Sequence, residues 1–168
     1  WYRKGKSYIE LGNPHEAITC FDRVLSHDQA CASAWLRKGS TLLSLSQYEP
    51  ALEALTRALE IKPGSAYGWY DRAIALLELG RYEEAVSSYD RVLAINPKYA
   101  NAYYDKGVAL VKLGKDSEAV EVFEHATILD PKFINAFYEK GLALSRLAKN
   151  LEAIAAFDRA LSVDASYS

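Results

Sequence analysis

Methionine is absent from the 168 residues, and cysteine and histidine are scarce. The two cysteines, Cys20 and Cys31, are too few for a disulfide framework, and the three histidines show no metal-ligand spacing. No run reaches the roughly 18 apolar residues that span a bilayer, and no signal-peptide pattern opens the chain. These absences predict no metal, no cofactor and no membrane partner. We expect a cytoplasmic protein and, because the chain begins at Trp1 rather than at Met, a segment of a longer one.

A strong charge of either sign is also missing. The formal net charge is −2 and the isoelectric point is near 6.0, so the chain has no general attraction for nucleic acid. The sequence shows no nucleophile–base pair, no glycine-rich phosphate loop and no paired acid and base carboxylates in a recognised motif. We therefore predict no catalytic residues and no enzyme activity.

What the sequence does have is a repeat of 34 residues. An aromatic residue opens each copy: Trp1, Trp35, Trp69, Tyr103 and Phe137. Four residues later stands a small residue: Gly5, Gly39, Ala73, Gly107 and Gly141. An alanine and then a bulky apolar residue follow in register: Ala17, Ala51, Ala85, Ala119 and Ala153, then Phe21, Leu55, Tyr89, Phe123 and Phe157. A fixed period of this length predicts a stack of identical structural units.

Each repeat is predicted to form a helical hairpin. In residues 66–99, apolar side chains recur at helical spacing, Gly80 ends the first helix, and Asn96-Pro97 ends the second. Glu83 and Glu84 fall in the first turn of the second helix, where carboxylates complement the helix dipole. The period places the other helices at about 1–11, 15–27, 32–45, 49–61, 100–113, 117–129, 134–147 and 151–163.

The aromatic, glycine, alanine and closing proline columns resemble the tetratricopeptide repeat over the whole chain. The resemblance implies an all-α fold, an α-solenoid in which antiparallel helix pairs form a right-handed superhelix with a concave groove lined by the first helices. It implies a single array of five repeats, at 1–31, 32–65, 66–99, 100–133 and 134–168.

The family's groove-facing positions are those whose residues vary here, and a ligand would be recognised through them. The candidate binding residues are Tyr2, Arg3, Lys6, Arg37, Tyr67, Tyr70, Asp71, Ile74, Asn101, Tyr104, Asp105, Val108, Asn135, Tyr138 and Glu139. Tyr99, Phe133 and Tyr167 are predicted near the rim or beside the groove. Tyrosine suits recognition surfaces, but the tyrosines after the opening aromatic also suit packing, and both interpretations stay open.

One variable column changes sign along the chain: Arg3, Arg37, Asp71, Asp105 and Glu139. This change favours a ligand with an acidic stretch near repeats one and two and a basic stretch near repeats three to five. The alternative is a solvated helix face with pairs such as Arg37 and Asp71 across repeats. A recurring basic column (Lys4, Lys38, Arg72, Lys106 and Lys140) is interpreted as structural, because an acidic column recurs with it.

Two functional patterns known in the family are missing. At the positions of the chaperone-adaptor carboxylate clamp, only Lys6 and Arg37 match in kind, and the asparagine ladder of the sugar-transferring members is replaced by the charged column. We therefore predict a non-catalytic scaffold that binds a protein or peptide segment in its groove. The alternatives are self-assembly into a homo-oligomer through uncapped ends, supported by the apolar last helix, and a regulatory segment of a larger enzyme.

Overall fold

The computed structural model describes residues 1–164, so Tyr167 and the end of the fifth predicted repeat lie outside the described part. Residues 1–164 form ten α-helices and no β-strand. The helices are α1 (Tyr2–Glu10), α2 (Pro14–Leu25), α3 (Ala32–Ser44), α4 (Tyr48–Ile61), α5 (Ala66–Glu78), α6 (Tyr82–Ile95), α7 (Ala100–Lys112), α8 (Asp116–Leu129), α9 (Ile134–Arg146) and α10 (Asn150–Asp164). The predicted helical hairpins are confirmed, with bounds that differ by at most two residues.

The chain divides into two compact units, Trp1–Ile95 and Asn96–Ser168. The first unit contains α1 to α6 and the second contains α7 to α10. Within each unit the two helices of a repeat pack together, and the second helix of one repeat packs on the first helix of the next. The first helices of adjacent repeats also touch, as α3 and α5 do in the first unit.

Two residues after the end of every first helix stands a residue with left-handed backbone geometry. The positions recur at the period of the sequence, with φ between 57° and 74°: Gly12, Ser46, Gly80, Gly114 and Ala148. In each case the next residue donates its N–H back to a carbonyl five residues earlier, as Gln47 does to Leu42 at 3.0 Å. These bonds satisfy carbonyls that would otherwise be left without a partner at the helix end.

The turns between repeats are closed by side chains. Asp28 and Asp130 each accept a backbone N–H two residues later through Oδ1, at 3.0 and 2.9 Å. The indole N–H of Trp35 donates to the carbonyl of Gln29 at 3.0 Å, and that of Trp69 donates to the carbonyl of Pro63 at 2.7 Å. The opening tryptophans of repeats two and three therefore fasten the turn that precedes their own helix.

The core of each unit is built from the recurring columns. In the first unit Leu55 is fully buried, and a Cβ built on Gly39 would lie 2.6 Å from its Cγ. In the second unit Phe123 is fully buried, and a Cβ on Gly107 would lie 2.5 Å from its Cε1. The small column is therefore required by the close approach of the bulky side chain from the second helix.

Candidate functional site

The variable first-helix residues of the first unit differ widely in exposure. Arg3, Lys6 and Arg37 are exposed, and Tyr67 is the most open tyrosine of this unit at 58% exposure. Tyr2, Tyr70 and Ile74 are half-buried. Asp71 is buried, with 6% of its surface exposed. The predicted set therefore contains both exposed side chains that a ligand can reach and side chains that are buried within the protein.

Asp71 departs from the expectation of an open groove carboxylate. The Ser40 hydroxyl, on the neighbouring first helix α3, donates a hydrogen bond to its Oδ2. Burial raises the pKa of the Asp71 carboxyl above its ordinary value, while this hydrogen bond and the nearby charge of Arg37 act in the opposite direction. Asp71 therefore connects α5 to α3, and we do not include it among the residues proposed to contact a ligand.

The tyrosines that follow the opening aromatic pack inside their own repeat. The Tyr70 ring lies 5.9 Å from that of Tyr89, edge to face. Three further pairs have the same spacing of 19 residues: Tyr2 with Phe21 at 5.9 Å, Tyr104 with Phe123 at 5.9 Å and Tyr138 with Phe157 at 5.7 Å. These contacts support the packing interpretation, although Tyr138 still exposes half of its surface.

The basic column is paired with acids of the preceding repeat. Lys38 lies 2.6 Å from Asp22 in the first unit, and Lys140 lies 2.7 Å from Glu124 in the second. Where the preceding repeat carries Thr56 in place of an acid, Arg72 reaches its hydroxyl at 3.3 Å. These pairs support the structural interpretation of the basic column.

Two clefts on the first-helix side of the first unit adjoin Arg37. One cleft of about 450 Å³ is lined by Leu36, Arg37, Ser40 and Tyr67. A second cleft of about 410 Å³ shares the last three of these residues and extends to Ile9 and the start of α2. The sequence indicated Arg37 and Tyr67 but not these clefts, because a cleft depends on how side chains from three helices leave space between them.

In the second unit, Tyr104 interacts with two of the predicted acidic residues. Its ring lies 4.9 Å from that of Phe133, and burial followed by the charges of Glu139 and Asp105 raises the pKa of its phenol. Asn101 and Asn135 are exposed, and Val108 is half-buried. The second unit therefore presents an aromatic surface flanked by two acidic residues.

An ion pair that the sequence analysis did not predict lies in the same unit. Arg146, at the end of α9, donates to Asp116, at the start of α8, at 2.7 Å. The two residues are 30 positions apart, and although Lys112 precedes Arg146 by one period, no other repeat has an acid at the position of Asp116, so the period gave no signal for the pair.

Neither a metal centre nor a membrane span is found in the described part of the chain. Among residues 1–164, no group of three or more histidine, cysteine, aspartate or glutamate side chains is placed to hold a metal ion. Over the same residues, the helices lack the length and apolar character needed to cross a bilayer.

Comparison with known proteins identifies the repeat. Models of the tetratricopeptide repeat match residues 2–66, 54–87, 100–133 and 134–167, and a further TPR repeat model matches 75–114. No curated protein sequence is significantly similar to this chain.

Solved structures share the fold. A crystal structure of MamA is 26% identical, with a TM-score of 0.95 over 97% of this chain and 95% of that chain. MamA from Desulfovibrio magneticus RS-1 is 23% identical, with a TM-score of 0.93 over 98% and 94% of the two chains. YrrB, described as a TPR protein with an unusual peptide-binding site, is 21% identical, with a TM-score of 0.90 over 96% and 84%. Repeats of this type form protein-interaction scaffolds that are generally non-catalytic.

Proposed function

Because the chain belongs to the tetratricopeptide repeat family, we propose that it is a non-catalytic scaffold that binds a peptide or protein segment on its first helices. The observation that carries the proposal is a contrast between two sets of side chains. Recurring residues make contacts within the protein, as Lys38 does in its ion pair with Asp22. Varying residues such as Arg37 and Tyr67 remain exposed beside open clefts. Side chains that vary and stay accessible are suited to recognising a specific partner.

The charge of the first helices supports a choice of ligand for each unit. In the first unit Arg3, Lys6 and Arg37 are exposed basic residues of the first helices α1 and α3. This unit is therefore proposed to bind an acidic segment.

The second unit is proposed to bind a basic segment. Asp105 and Glu139 flank Tyr104, and both influence its phenol. Asn101, Asn135 and Tyr138 add exposed hydrogen-bonding groups on the same two helices, α7 and α9. Aromatic and carboxylate groups together suit the ammonium or guanidinium of a basic side chain.

The solved relatives support a peptide as the ligand class. YrrB is described as having a peptide-binding site, and at 21% identity it supports the fold and the ligand class but not any contact residue. The residues proposed here therefore depend on the exposure and charge of this chain.

Selection of peptides from a random display library on the immobilised chain tests the proposal. We expect enriched peptides that lose affinity at least tenfold on Tyr67→Ala in the first unit or on Tyr138→Ala in the second. Ile128→Ala is the matched control, because Ile128 is as exposed as Tyr67, at 66%, but lies on the second helix α8. A library that yields no binder, or binders that none of the first-helix variants affects, would contradict the proposal.

Self-association is the second candidate, and a specific surface favours it. On α10, Leu151, Ile154 and Leu161 are 85%, 57% and 65% exposed. One and three periods earlier, the positions of Leu161 are held by Thr127 and Leu59, which are buried at 7% and 4% exposure. Apolar surface of this kind favours association with another protein surface.

Sedimentation across a range of concentrations tests self-association. We expect the mass to rise with concentration and Leu161→Lys to abolish the rise, with Glu152→Lys, an exposed polar position on the same helix, as the control. A mass that stays monomeric at the highest concentration would rule this candidate out.

A further inference from the structure

Three clefts follow one another along α3 in the first unit. The first, of about 210 Å³, is lined by residues that include Ser33, Leu36 and Lys62. The second, of about 450 Å³, shares Leu36 and adds Arg37, Ser40 and Tyr67. The third, of about 410 Å³, shares these last three and reaches Ile9. We call this continuous surface the α3 track.

Two cations on the α3 track make no hydrogen bond or ion pair with the described residues. Among residues 1–164, no hydrogen bond or ion pair engages the guanidinium of Arg37 or the ammonium of Lys62, and both side chains are exposed. Lys38 on α3 and Arg72 on α5 differ, because Lys38 is paired with Asp22 and Arg72 is bonded to Thr56 and Ser88. Arg37 and Lys62 are therefore available to an anion.

Asp71 interacts with Arg37 through charge and not through a hydrogen bond or ion pair. Its buried carboxylate accepts the Ser40 hydroxyl, and the charge of Arg37 acts to lower its pKa. The other hydroxyls of the track are also used, since Thr41 donates to the Arg37 carbonyl at 2.7 Å and Ser44 to the Thr41 carbonyl at 2.7 Å. The donors left for a ligand in the two clefts beside Arg37 are its guanidinium and the Tyr67 hydroxyl, and Lys62 adds an ammonium at the far end of the track.

We propose that the α3 track binds an extended peptide segment by an acidic side chain, held by Arg37 and Tyr67, with apolar neighbours against Leu36 and Ile9. The inference rests on the proposed function and specifies its ligand in the first unit. A guanidinium forms two parallel hydrogen bonds to a carboxylate, which a neutral amide does not reproduce. Because clefts lie on both sides of Arg37, a bound chain continues past it in both directions. The anion is therefore an aspartate or glutamate side chain within the segment rather than a chain-terminal carboxylate.

Lys62 is placed to bind a second acidic residue of the same peptide segment. It lies at the far end of the track, beyond Leu36, at the end of α4. A segment with one acidic residue at Arg37 places a second acidic residue, a few positions along, near this ammonium. Because Lys62 is exposed, its contribution is smaller and more sensitive to salt.

Three labelled peptides test the inference by fluorescence anisotropy on the whole chain. The first alternates leucine and glutamate over eight residues with both ends blocked, and the second replaces every glutamate by glutamine. The third has the glutamine sequence with a free terminal carboxylate. We expect the glutamate peptide alone to bind, with roughly tenfold weaker affinity in Arg37→Gln and a smaller loss in Lys62→Gln. Arg57→Gln is the matched control, because Arg57 is exposed on the second helix α4 and paired with Glu60.

The outcomes separate this inference from the proposed function. Binding of the glutamate peptide that Arg37→Gln leaves unchanged, or equal binding of the glutamine peptide, would overturn the inference. Preference for the free terminal carboxylate would overturn it as well. If display selection yields peptides that depend on Tyr67 or Tyr138 while the glutamate peptide does not bind, the inference is wrong and the proposed function stands. Circular dichroism of Arg37→Gln confirms that the variant is folded, so that a loss of binding reports on the track.

Discussion

Ser40 donates its hydroxyl to the buried carboxylate of Asp71, and the two residues lie on first helices of adjacent repeats. The sequence period relates Ser40 to Ile74 and Asp71 to Arg37, so this bond joins two columns that were interpreted separately. A carboxylate with 6% exposure needs such a donor, because burial without a hydrogen bond is costly. This hydrogen bond therefore links α3 to α5.

Removing the donor should destabilise the first unit. We expect Ser40→Ala to lower the free energy of unfolding by about 2 kcal/mol at pH 7, the range for a hydrogen bond to a charged group. Urea unfolding measures the change. Ser44→Ala is the matched control, because its hydroxyl bonds only to the Thr41 carbonyl in the same helix, and we expect a much smaller effect. Equal losses in the two variants would show that Asp71 does not depend on Ser40.

Replacing the acid should change how stability depends on pH. Because burial raises the folded-state pKa of Asp71 above its ordinary value of 3.8, the folded state binds more protons between the two pKa values. The contribution of this group to stability therefore falls as pH rises from about 3.8 through the folded-state pKa, and stays constant above it. We expect Asp71→Asn to become more stable relative to the parent chain as the pH of urea unfolding increases from 4 to 7. A difference that shrinks over this range would contradict the assigned cause.

The two left-handed residues that are not glycine should be sites of stabilisation. Ser46 and Ala148 have φ of 57° and 59°, a region that costs a side-chain-bearing residue roughly 1–2 kcal/mol. We expect Ser46→Gly and Ala148→Gly each to raise the free energy of unfolding by up to about 1 kcal/mol, because glycine relieves the backbone strain while its flexibility in the unfolded chain offsets part of that gain. Ser87→Gly, at an exposed site within α6, is the control and should destabilise by about 0.5 kcal/mol.

A glycine of the small column should not tolerate replacement by alanine, although repeat three carries alanine at the same position. A Cβ on Gly107 would lie 2.5 Å from Phe123, whereas Ala73 already occupies this column beside Tyr89. We expect Gly107→Ala to cost about 1–3 kcal/mol through overpacking of the second unit. Gly114→Ala is not a suitable control, because the backbone of Gly114 is left-handed. Ala94→Gly, at an exposed position on α6, measures instead how exchanging alanine and glycine in a helix changes stability without a change in core packing. Thermal unfolding compares the variants, and an unchanged midpoint for Gly107→Ala would show that Phe123 can move aside.

The recurring base should affect stability but not ligand binding. Lys38 and Asp22 form a partly exposed pair at 2.6 Å, so a double-mutant cycle with Lys38→Gln and Asp22→Asn should give a coupling of up to about 1 kcal/mol that falls with salt. The glutamate peptide should bind Lys38→Gln as it binds the parent chain. A loss of binding comparable to that of Arg37→Gln would make Lys38 part of the α3 track.

The sequence predicted the fold because every structural requirement recurs. The glycine column indicates where Phe123 or Leu55 packs closely against the first helix, and Gly80 indicates a helix end. The period also identifies Ser46 and Ala148 as helix ends, although neither residue type signals a left-handed backbone. Repetition thus supplies information that single-residue preferences do not.

The candidate site was only partly predictable, because recognition depends on what does not recur. The exposure of Tyr67 follows from its position on the helix face, but the burial of Asp71 depends on Ser40, which no other repeat repeats. The clefts around Arg37 depend on the sizes of side chains from α1, α3 and α5 together. Such three-helix arrangements have no signature in the spacing of one helix.

The phenol of Tyr104 should report on the acidic surface of the second unit. Burial raises its pKa above 10.0, and the charges of Glu139 and Asp105 raise it further. We expect Glu139→Gln to lower this pKa, because one negative charge near the forming phenolate is removed. Carbon-13 NMR of labelled tyrosine, assigned with Tyr104→Phe, follows the titration.

Glu118→Gln is the matched control for this titration, because Glu118 lies on α8 and pairs with Lys115 at 3.3 Å. It should leave the Tyr104 titration unchanged. Since screening weakens exposed charge interactions, the effect of Glu139→Gln should also diminish as salt increases from 0.01 to 1 M. A Tyr104 titration that neither Glu139→Gln nor salt affects would place the acidic side chain too far from the ring to share a bound cation, and the basic-segment proposal for this unit would fail.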